Sequence, residues 1–429
     1  MKLIINFISK IGVDSVSRLV GFLTLPIITR ALGPEGYGLF SYLFVVVSYF
    51  GFFIDFGYLN YGTNKLCDKA DSRTVIGRII SLQLLTLIFT YSVLIIAGYF
   101  IFEFDKYILI LVFSVTYISQ IFAIRYYYLS NNKLYYNSIS ELAGQLVYAG
   151  LIFLVFVKYH SVTVLIIFSV IQTLVTAVFL FMPYIKRNSI KINLDFKDNL
   201  RTLKEAYKLG LASKAEGITS SFIILSTGII LNEHAVGLYN ASNKIYLILL
   251  TVVQGVSYTF MPLLLRYAKK KESGNIKKIS LIFYSYVLIG ILLSLFTFLF
   301  SEKIILLMFG EKFTESVSIL RNFSVTILLW PVVMFISLII LAYNRYNYIL
   351  IISVSSMLMS VIFSLIFLNV YGVSGTGLIL PFVAAGTIII SFYYLSKISS
   401  EEKFRIQDIY SLRSAFSELQ SLLFRKTDI

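Results

Sequence analysis

The sequence predicts an all-α polytopic membrane protein with twelve transmembrane helices. Of its 429 residues 58% are hydrophobic and only 14% are charged, and the mean hydropathy is +0.84. A soluble protein carries roughly 25% charged residues because its surface faces water, so a set of soluble domains is excluded. Runs of about 20 apolar residues are long enough to cross the hydrocarbon core of a bilayer. The predicted spans are residues 11–32, 38–60, 78–102, 107–129, 139–158, 161–184, 207–231, 236–263, 279–300, 317–342, 347–369 and 373–395.

The gaps between the spans set the predicted orientation. Every second gap is rich in lysine and arginine, as at 65–73, 186–201 and 269–278. The gaps between them hold few basic residues, which are offset by acidic ones. The positive-inside rule places the basic gaps, and with them both termini, in the cytoplasm. The same clustering accounts for the net charge of +15, so we expect no nucleic-acid partner.

Cysteine and histidine are too scarce for redox or metal chemistry. Cys67 is the single cysteine, so an intrachain disulfide is excluded. His160 and His234 are the only histidines and both fall in predicted loops, which disfavours a histidine-rich metal site. We expect no cofactor and no resident metal, while coupling to H⁺ or Na⁺ stays open.

A weak internal repeat divides the spans into two sets of six. The stretch GLFS at 38–41 is echoed by GLYN at 237–240, an offset of 199 residues, and FSVT at 113–116 recurs at 323–326. Six-span repeats of this kind enclose a substrate path between the halves of a transporter. We predict an N-terminal six-helix bundle at 1–185, a basic cytoplasmic linker at 186–206, a C-terminal six-helix bundle at 207–396 and an amphipathic cytoplasmic tail at 397–429.

Between the first two spans lies the stretch PIITRALGPEGYGLFSY, residues 26–42. Its three glycines, Gly33, Gly36 and Gly38, are expected to let the chain reverse tightly. A phosphate-cradling loop would need a preceding strand, and none is predicted here. We therefore interpret the stretch as a hairpin between two helices.

The same stretch, together with FIDFGYLN at 53–60, resembles the signature of polysaccharide exporters in the MOP (multidrug/oligosaccharidyl-lipid/polysaccharide) superfamily. Residues 237–245 and 306–331 are also similar to this family. The resemblance implies a MATE-like (MOP) transporter fold and is fairly specific for Wzx-like O-antigen and capsule flippases. It implies that an oligosaccharide repeat unit on undecaprenyl diphosphate is moved across a bacterial cytoplasmic (inner) membrane. The implied partners are membrane lipids, a polysaccharide polymerase and a chain-length regulator.

Ionisable side chains inside the spans are the candidate substrate-binding groups, because each costs roughly 2.5–3.5 kcal/mol at mid-helix on insertion scales. Asp14 and Arg18 lie four residues apart, on one face of the first span. Lys214 and Glu216 fall at the matching depth of the seventh span when the repeat offset is applied. Polar groups at one level in both halves predict a hydrophilic cleft.

Three further charges complete the candidate set: Asp55, Lys244 and Arg30. Two of them have a structural alternative: Asp55 could cap and pack helices, and Arg30 could anchor the membrane interface. Arg18 could neutralise Asp14 and extend toward water. By the resemblance, Arg18, Lys214 and Lys244 attract the diphosphate or acidic sugars, and Asp14, Asp55 and Glu216 orient those cations or bind hydroxyls and a coupling ion.

Two rival functions are weaker. A MATE-like, cation-coupled multidrug exporter would favour an acidic cavity, and the predicted cavity holds at least as many basic groups. A membrane glycosyltransferase or ligase needs an acid–base or metal site, and no paired carboxylates occur at a useful spacing in the short predicted loops. We therefore expect a transporter and not an enzyme.

Overall fold

The computed structural model describes residues 2–55, 57–191, 196–269 and 273–402. Side chains are described over the same ranges except at 2–11, 15, 196–197, 200, 208–218, 258, 266–269, 273–277 and 402. Most of the predicted amphipathic tail lies outside the described residues. The regular elements within the described ranges are all helical, which confirms the predicted all-α class.

The chain forms two compact units, and each is described separately. Unit 1 comprises residues 1–214 and 308–312, and unit 2 comprises 215–307 and 313–429. The domain limits expected from the sequence stay predictions. Unit 1 contains α1 (Lys2–Gly51), α2 (Tyr58–Cys67), α3 (Ser72–Ile101), α4 (Phe104–Ser114), α5 (Thr116–Phe122), α6 (Arg125–Ser130), α7 (Leu134–Leu151), α8 (Val157–Tyr159) and α9 (Val162–Ile185). After α10 (Phe196–Ile230), unit 2 contains α11 (Glu233–Lys269), α12 (Ser273–Met308, whose last residue falls in unit 1), α13 (Ser316–Ala342) and α14 (Tyr346–Glu402).

Nine helical stretches of the described chain are long and apolar enough to span a membrane. Two of them bend at a glycine outside the helical region, Gly33 in α1 (φ 66°) and Gly372 in α14 (φ 56°). The protein is therefore a multi-pass membrane protein. The count of twelve spans and the cytoplasmic position of both termini stay predictions.

The hairpin predicted at 26–42 is a break at a single residue. Gly33 adopts φ 66° and ψ −176°, a backbone region open essentially to glycine that costs other residues about 1–3 kcal/mol, and the helix resumes at Pro34. Gly36 and Gly38 lie inside the resumed helix, so the expectation that they help to reverse the chain was wrong. In unit 2 the residue 199 positions after Gly33 is Asn232, whose Oδ1 accepts a hydrogen bond from the Ala235 N–H at the start of α11 (2.9 Å).

The second predicted span, 38–60, is not continuous. Helix α1 ends at Gly51, and α2 begins at Tyr58 after a left-handed Gly57 (φ 84°). The N–H groups of Ile54 and Asp55 both donate to the carbonyl of Gly51 at 3.1 Å, so the chain turns there. Hydropathy did not reveal the interruption, because apolar residues continue through it.

Small and hydroxylated residues let the helices of each unit approach closely. In unit 1 a Cβ on Gly144 of α7 would lie 2.7 Å from the carbonyl oxygen of Gln172 on α9. In unit 2 the hydroxyl of Ser242 on α11 donates to the carbonyl of Ser316 on α13, and the Ser316 hydroxyl donates to the carbonyl of Leu238, both at 2.9 Å. Such contacts hold apolar helices together where lipid offers no hydrophobic driving force.

Candidate functional site

Arg18 and Lys244, two of the three predicted cationic residues whose side chains are described, are both exposed. Arg18 lies on α1 beside Val16 and Leu19, which are 46% and 61% exposed. Lys244 lies on α11 directly after four buried residues, 240–243, and shares its exposed side with Leu247 and Ile248. A charge that is kept accessible on a membrane helix can meet a ligand without first leaving a packed core.

Asp14 is half-buried on the same helix as Arg18. No ion pair joins the two side chains, both of which lie in the described part of α1. The self-neutralising pair considered from the spacing is therefore not formed. Lys214 and Glu216 fall on α10, outside the residues whose side chains are described. Their proposed roles stay predictions.

The two remaining candidates lie where helices are interrupted. Arg30 is exposed near the Gly33 break, and a Cβ on Gly310 would lie 3.5 Å from its Cγ. Asp55 is half-buried in the segment between α1 and α2. Both therefore lie at helix ends in unit 1, and their roles in substrate binding also stay predictions.

A second polar site, which the sequence did not predict, lies where the start of α10 packs on α2 and α3. We call it the linker dock. Its cavity of about 390 Å³ is lined by Tyr61, Lys65, Ala70, Asp71, Thr74, Val75, Arg78, Asp198, Arg201, Thr202 and Glu205. All of these residues belong to unit 1.

Three ion pairs hold the linker dock together. Lys65 Nζ lies 3.0 Å from Glu205 Oε2, and Arg201 Nε donates to the other oxygen of the same carboxylate at 3.2 Å. Arg78 Nη2 donates to Asp198 Oδ2 at 2.8 Å. On α10, Asn199, Thr202 and Ala206 recur at helical spacing and are buried. The charged residues between them therefore lie at the edge of the buried face of α10, where they can form these ion pairs.

Lys191, at the other end of the linker region, packs on the start of α3. The N–H of Lys191 donates to the carbonyl of Arg73 at 3.4 Å. A Cβ on Gly77 of α3 would overlap the carbonyl oxygen of Lys191, so only glycine allows this approach. Asp71 caps α3, accepting hydrogen bonds from the Thr74 hydroxyl (2.8 Å) and the Arg73 N–H (3.3 Å). On both sides of residues 192–195 the linker region is thus fixed to unit 1.

Glu205→Gln is expected to destabilise the protein only slightly, by less than about 1 kcal/mol at pH 7, because both partners of the Lys65 pair are more than a third exposed. The hydrogen bond from Lys65 holds the pKa of Glu205 below its ordinary value of 4.5. The stabilisation by the Glu205 carboxylate is therefore complete above its ordinary pKa of 4.5. It is lost as pH falls through the lower pKa that Glu205 has in the folded protein. Thermal unfolding of both proteins in detergent between pH 7 and pH 3 measures it. A double-mutant cycle with Lys65→Gln isolates the pair. A loss at pH 7 that persists unchanged at pH 3 would contradict this assignment.

The helical architecture of the chain is that of a known class of membrane transporters. The solved structure of the lipid II flippase MurJ in its inward closed conformation matches with a TM-score of 0.75 at 15% identity, covering 98% of this chain and 92% of that one. An inward-facing multidrug resistance MATE family transporter of the MOP superfamily matches with a TM-score of 0.72 at 15% identity, covering 92% and 98%. The chain has the MOP transporter fold, as predicted.

Sequence comparison gives the family. The family described as "Polysaccharide biosynthesis protein" matches residues 3–268, and the chain belongs to it. The capsular polysaccharide biosynthesis protein CapF of Staphylococcus aureus is 23% identical over 404 residues, which cover 91% of this chain and 98% of that protein. A putative O-antigen transporter of Escherichia coli (strain K12) is 23% identical over 335 residues, covering 74% and 78%. The resemblance to polysaccharide exporters is confirmed.

Proposed function

We propose that this protein is a flippase that moves lipid-linked oligosaccharide repeat units, of O-antigen or capsule, across the bacterial cytoplasmic (inner) membrane. The observation that carries the proposal is membership of the polysaccharide biosynthesis family, with similarity to a capsule protein along nearly the whole chain. The MOP fold, which the lipid II flippase shares, supports it. Undecaprenyl diphosphate is the proposed lipid carrier, and a polymerase and a chain-length regulator are proposed partners.

The physical task is to carry a diphosphate and several sugars past hydrocarbon while the polyprenyl tail stays in lipid. Cationic groups on apolar helices meet that need, since they offer a charged head group an alternative to water. Arg18, Lys214 and Lys244 attract the diphosphate in this proposal, and Arg30 contributes near the outer end of its span. Asp14, Asp55 and Glu216 orient those cations. Transport proceeds by alternating access and needs no covalent chemistry.

Removal of the gene tests the proposal. The expected result is loss of surface polysaccharide with accumulation of lipid-linked repeat units on the inner leaflet, restored by the intact gene. In proteoliposomes, the purified protein is expected to make a labelled lipid-linked oligosaccharide accessible to a reagent added on the opposite side. Normal surface glycan in the deletion strain, with no flipping in vesicles, would refute the proposal.

A multidrug exporter is the second candidate, favoured by the structural match to a MATE family transporter. The same deletion strain separates the two functions. Drug sensitivity with unchanged surface glycan would support the exporter. Loss of glycan with unchanged drug sensitivity supports the flippase.

A further inference from the structure

Helix α7 of unit 1 carries three polar side chains at intervals of four residues, Asn137, Glu141 and Gln145, and each of them is partly exposed. We call this row the polar stripe. Side chains four residues apart lie on one face of a helix, so the stripe is continuous. It begins at the predicted cytoplasmic end of the apolar span Leu134–Tyr159 and ends at Gln145, close to the middle of that span.

The polar stripe lies on the side of α7 away from the apolar surface. Ile139 and Val147, each two residues from a member of the stripe, are 45% and 39% exposed. Two residues turn a helix by about 200°, so these apolar side chains lie on the opposite side of α7. Helix α7 therefore has two accessible sides, one apolar and one polar. A polar side chain that stays accessible at mid-membrane faces water or a ligand, because hydrocarbon offers it no partner.

Gln172, near the middle of α9, extends the polar stripe at Gln145. Its Nε2 donates to Gln145 Oε1 at 2.7 Å. Gly21 of α1 leaves room for this pair, since a Cβ there would lie 3.1 Å from Gln145 Nε2. Within the described part of the chain the two amides make no other side-chain hydrogen bond. Both glutamines are partly exposed, so the pair offers the N–H groups of Gln145 as donors and Gln172 Oε1 as an acceptor.

The polar stripe is neutral as a whole. Glu141 Oε1 lies 3.1 Å from Arg125 Nη1, so its charge is balanced, and Asn137 Nδ2 donates to the Arg125 carbonyl at 3.4 Å. The other side chains of the stripe are uncharged amides. A diphosphate gains little from such a surface. The hydroxyl groups of a sugar both donate and accept hydrogen bonds, and an amide donor beside an amide acceptor matches two neighbouring hydroxyls.

We propose that the polar stripe, together with Gln172, binds the sugar hydroxyls of the transported repeat unit, and that the pair of Gln145 and Gln172 determines specificity for the sugar. This inference rests on the proposed function and concerns groups other than the candidate cations, which act on the diphosphate. A site that is built to hydrogen-bond a hydroxyl discriminates against a molecule that lacks it, because the amides are then left without partners. The stripe therefore selects lipid carriers that already bear their sugars.

The test measures equilibrium binding of two radiolabelled lipids to the purified full-length protein in detergent. One lipid is undecaprenyl diphosphate, and the other is the same lipid carrying the repeat unit of the source strain's surface polysaccharide. The wild-type protein is expected to bind the sugar-bearing lipid about tenfold more tightly or better. Flipping of both lipids is measured in proteoliposomes made from the same preparations.

The double variant Gln145→Leu, Gln172→Leu is expected to lose about tenfold in affinity for the sugar-bearing lipid and to bind the bare carrier as the wild-type protein does. Replacing both partners with apolar side chains of similar size leaves neither amide unpaired, so the fold is expected to survive. If this variant does not fold, the double methionine variant at the same positions takes its place, because the unbranched side chain adapts to the available space.

Gln83→Leu is the matched control. Gln83 is also an intramembrane glutamine of unit 1, but it is only 4% exposed, and its Nε2 donates to the carbonyl of Ile54 at 3.4 Å. A ligand cannot reach this amide. The control is expected to lower the melting temperature and to keep the wild-type preference for the sugar-bearing lipid.

Two results would overturn the proposal: a wild-type protein that binds both lipids equally, and a double variant that keeps the full preference. If the wild-type protein shows the preference and the double variant loses it, but neither lipid is flipped in vesicles, the proposed function fails and the sugar site stands. If both proteins flip the sugar-bearing lipid at one rate and bind it equally, the proposed function stands and the sugar site is refuted.

Discussion

The double variant Arg18→Gln, Lys244→Gln is expected to lower flipping of a labelled lipid-linked oligosaccharide at least tenfold, with little loss of folded protein. Both side chains are exposed, so their removal deletes no core packing. Each tenfold loss in rate corresponds to about 1.4 kcal/mol. A loss of that size is small for the removal of two cations that contact a diphosphate, because charge-assisted hydrogen bonds are roughly twice as strong as neutral ones.

The matched control carries the same change of net charge outside the predicted spans. Lys106→Gln, Lys303→Gln removes two lysines that lie between predicted spans, Lys106 on α4 and Lys303 on α12. Lys106 pairs with Glu103 at 3.4 Å. We expect this control to transport at the wild-type rate. Rates are measured in proteoliposomes with equal amounts of folded protein, and export is measured by complementation of the deletion strain. An active Arg18, Lys244 double variant would remove these residues from the proposed head-group site.

A clear loss of stability is expected from Gly144→Ala. Its new Cβ would collide with the Thr176 hydroxyl and would lie 2.7 Å from the carbonyl oxygen of Gln172, so α7 and α9 must move apart. Overpacking of this kind costs about 1–3 kcal/mol. The result should appear as a lower melting temperature in detergent and a lower yield of monodisperse protein.

Gly150→Ala on the same helix is the control, because a Cβ there would meet nothing within 4 Å. Removing a glycine from an open helical position stabilises by roughly 0.5–1 kcal/mol. The two alanine variants are therefore expected to shift the melting temperature in opposite directions. Equal effects from both would mean that α7 and α9 do not pack closely at Gly144.

Hydropathy predicted most spans well because a membrane helix must be apolar along its length. The predicted span 161–184 is observed as α9, Val162–Ile185, and 317–342 as α13, Ser316–Ala342. The hairpin motif predicted the turn at Gly33, where glycine alone tolerates the backbone. It did not predict that the helix resumes at once at Pro34.

The linker dock shows why other features escaped prediction. Arg78 and Asp198 are separated by 120 residues, and both lie in stretches that look like solvated charge. No pattern in the sequence around Arg78 or Asp198 predicts that they pair. The interruption between α1 and α2 escaped prediction because the residues around it are apolar apart from Asp55, so hydropathy reads straight through it.

The sequence by itself determined that this is an apolar, many-helix chain of the polysaccharide-exporter family, because solvation of the backbone in lipid permits little else and the motifs are local. Only the tertiary structure decided that the start of α10 contacts α2 and α3, that Asp14 and Arg18 remain unpaired with each other, and that α1 ends at Gly51, inside a predicted span. Those outcomes depend on which distant side chains meet, and close contacts between segments more than a hundred residues apart leave no periodic trace along the chain.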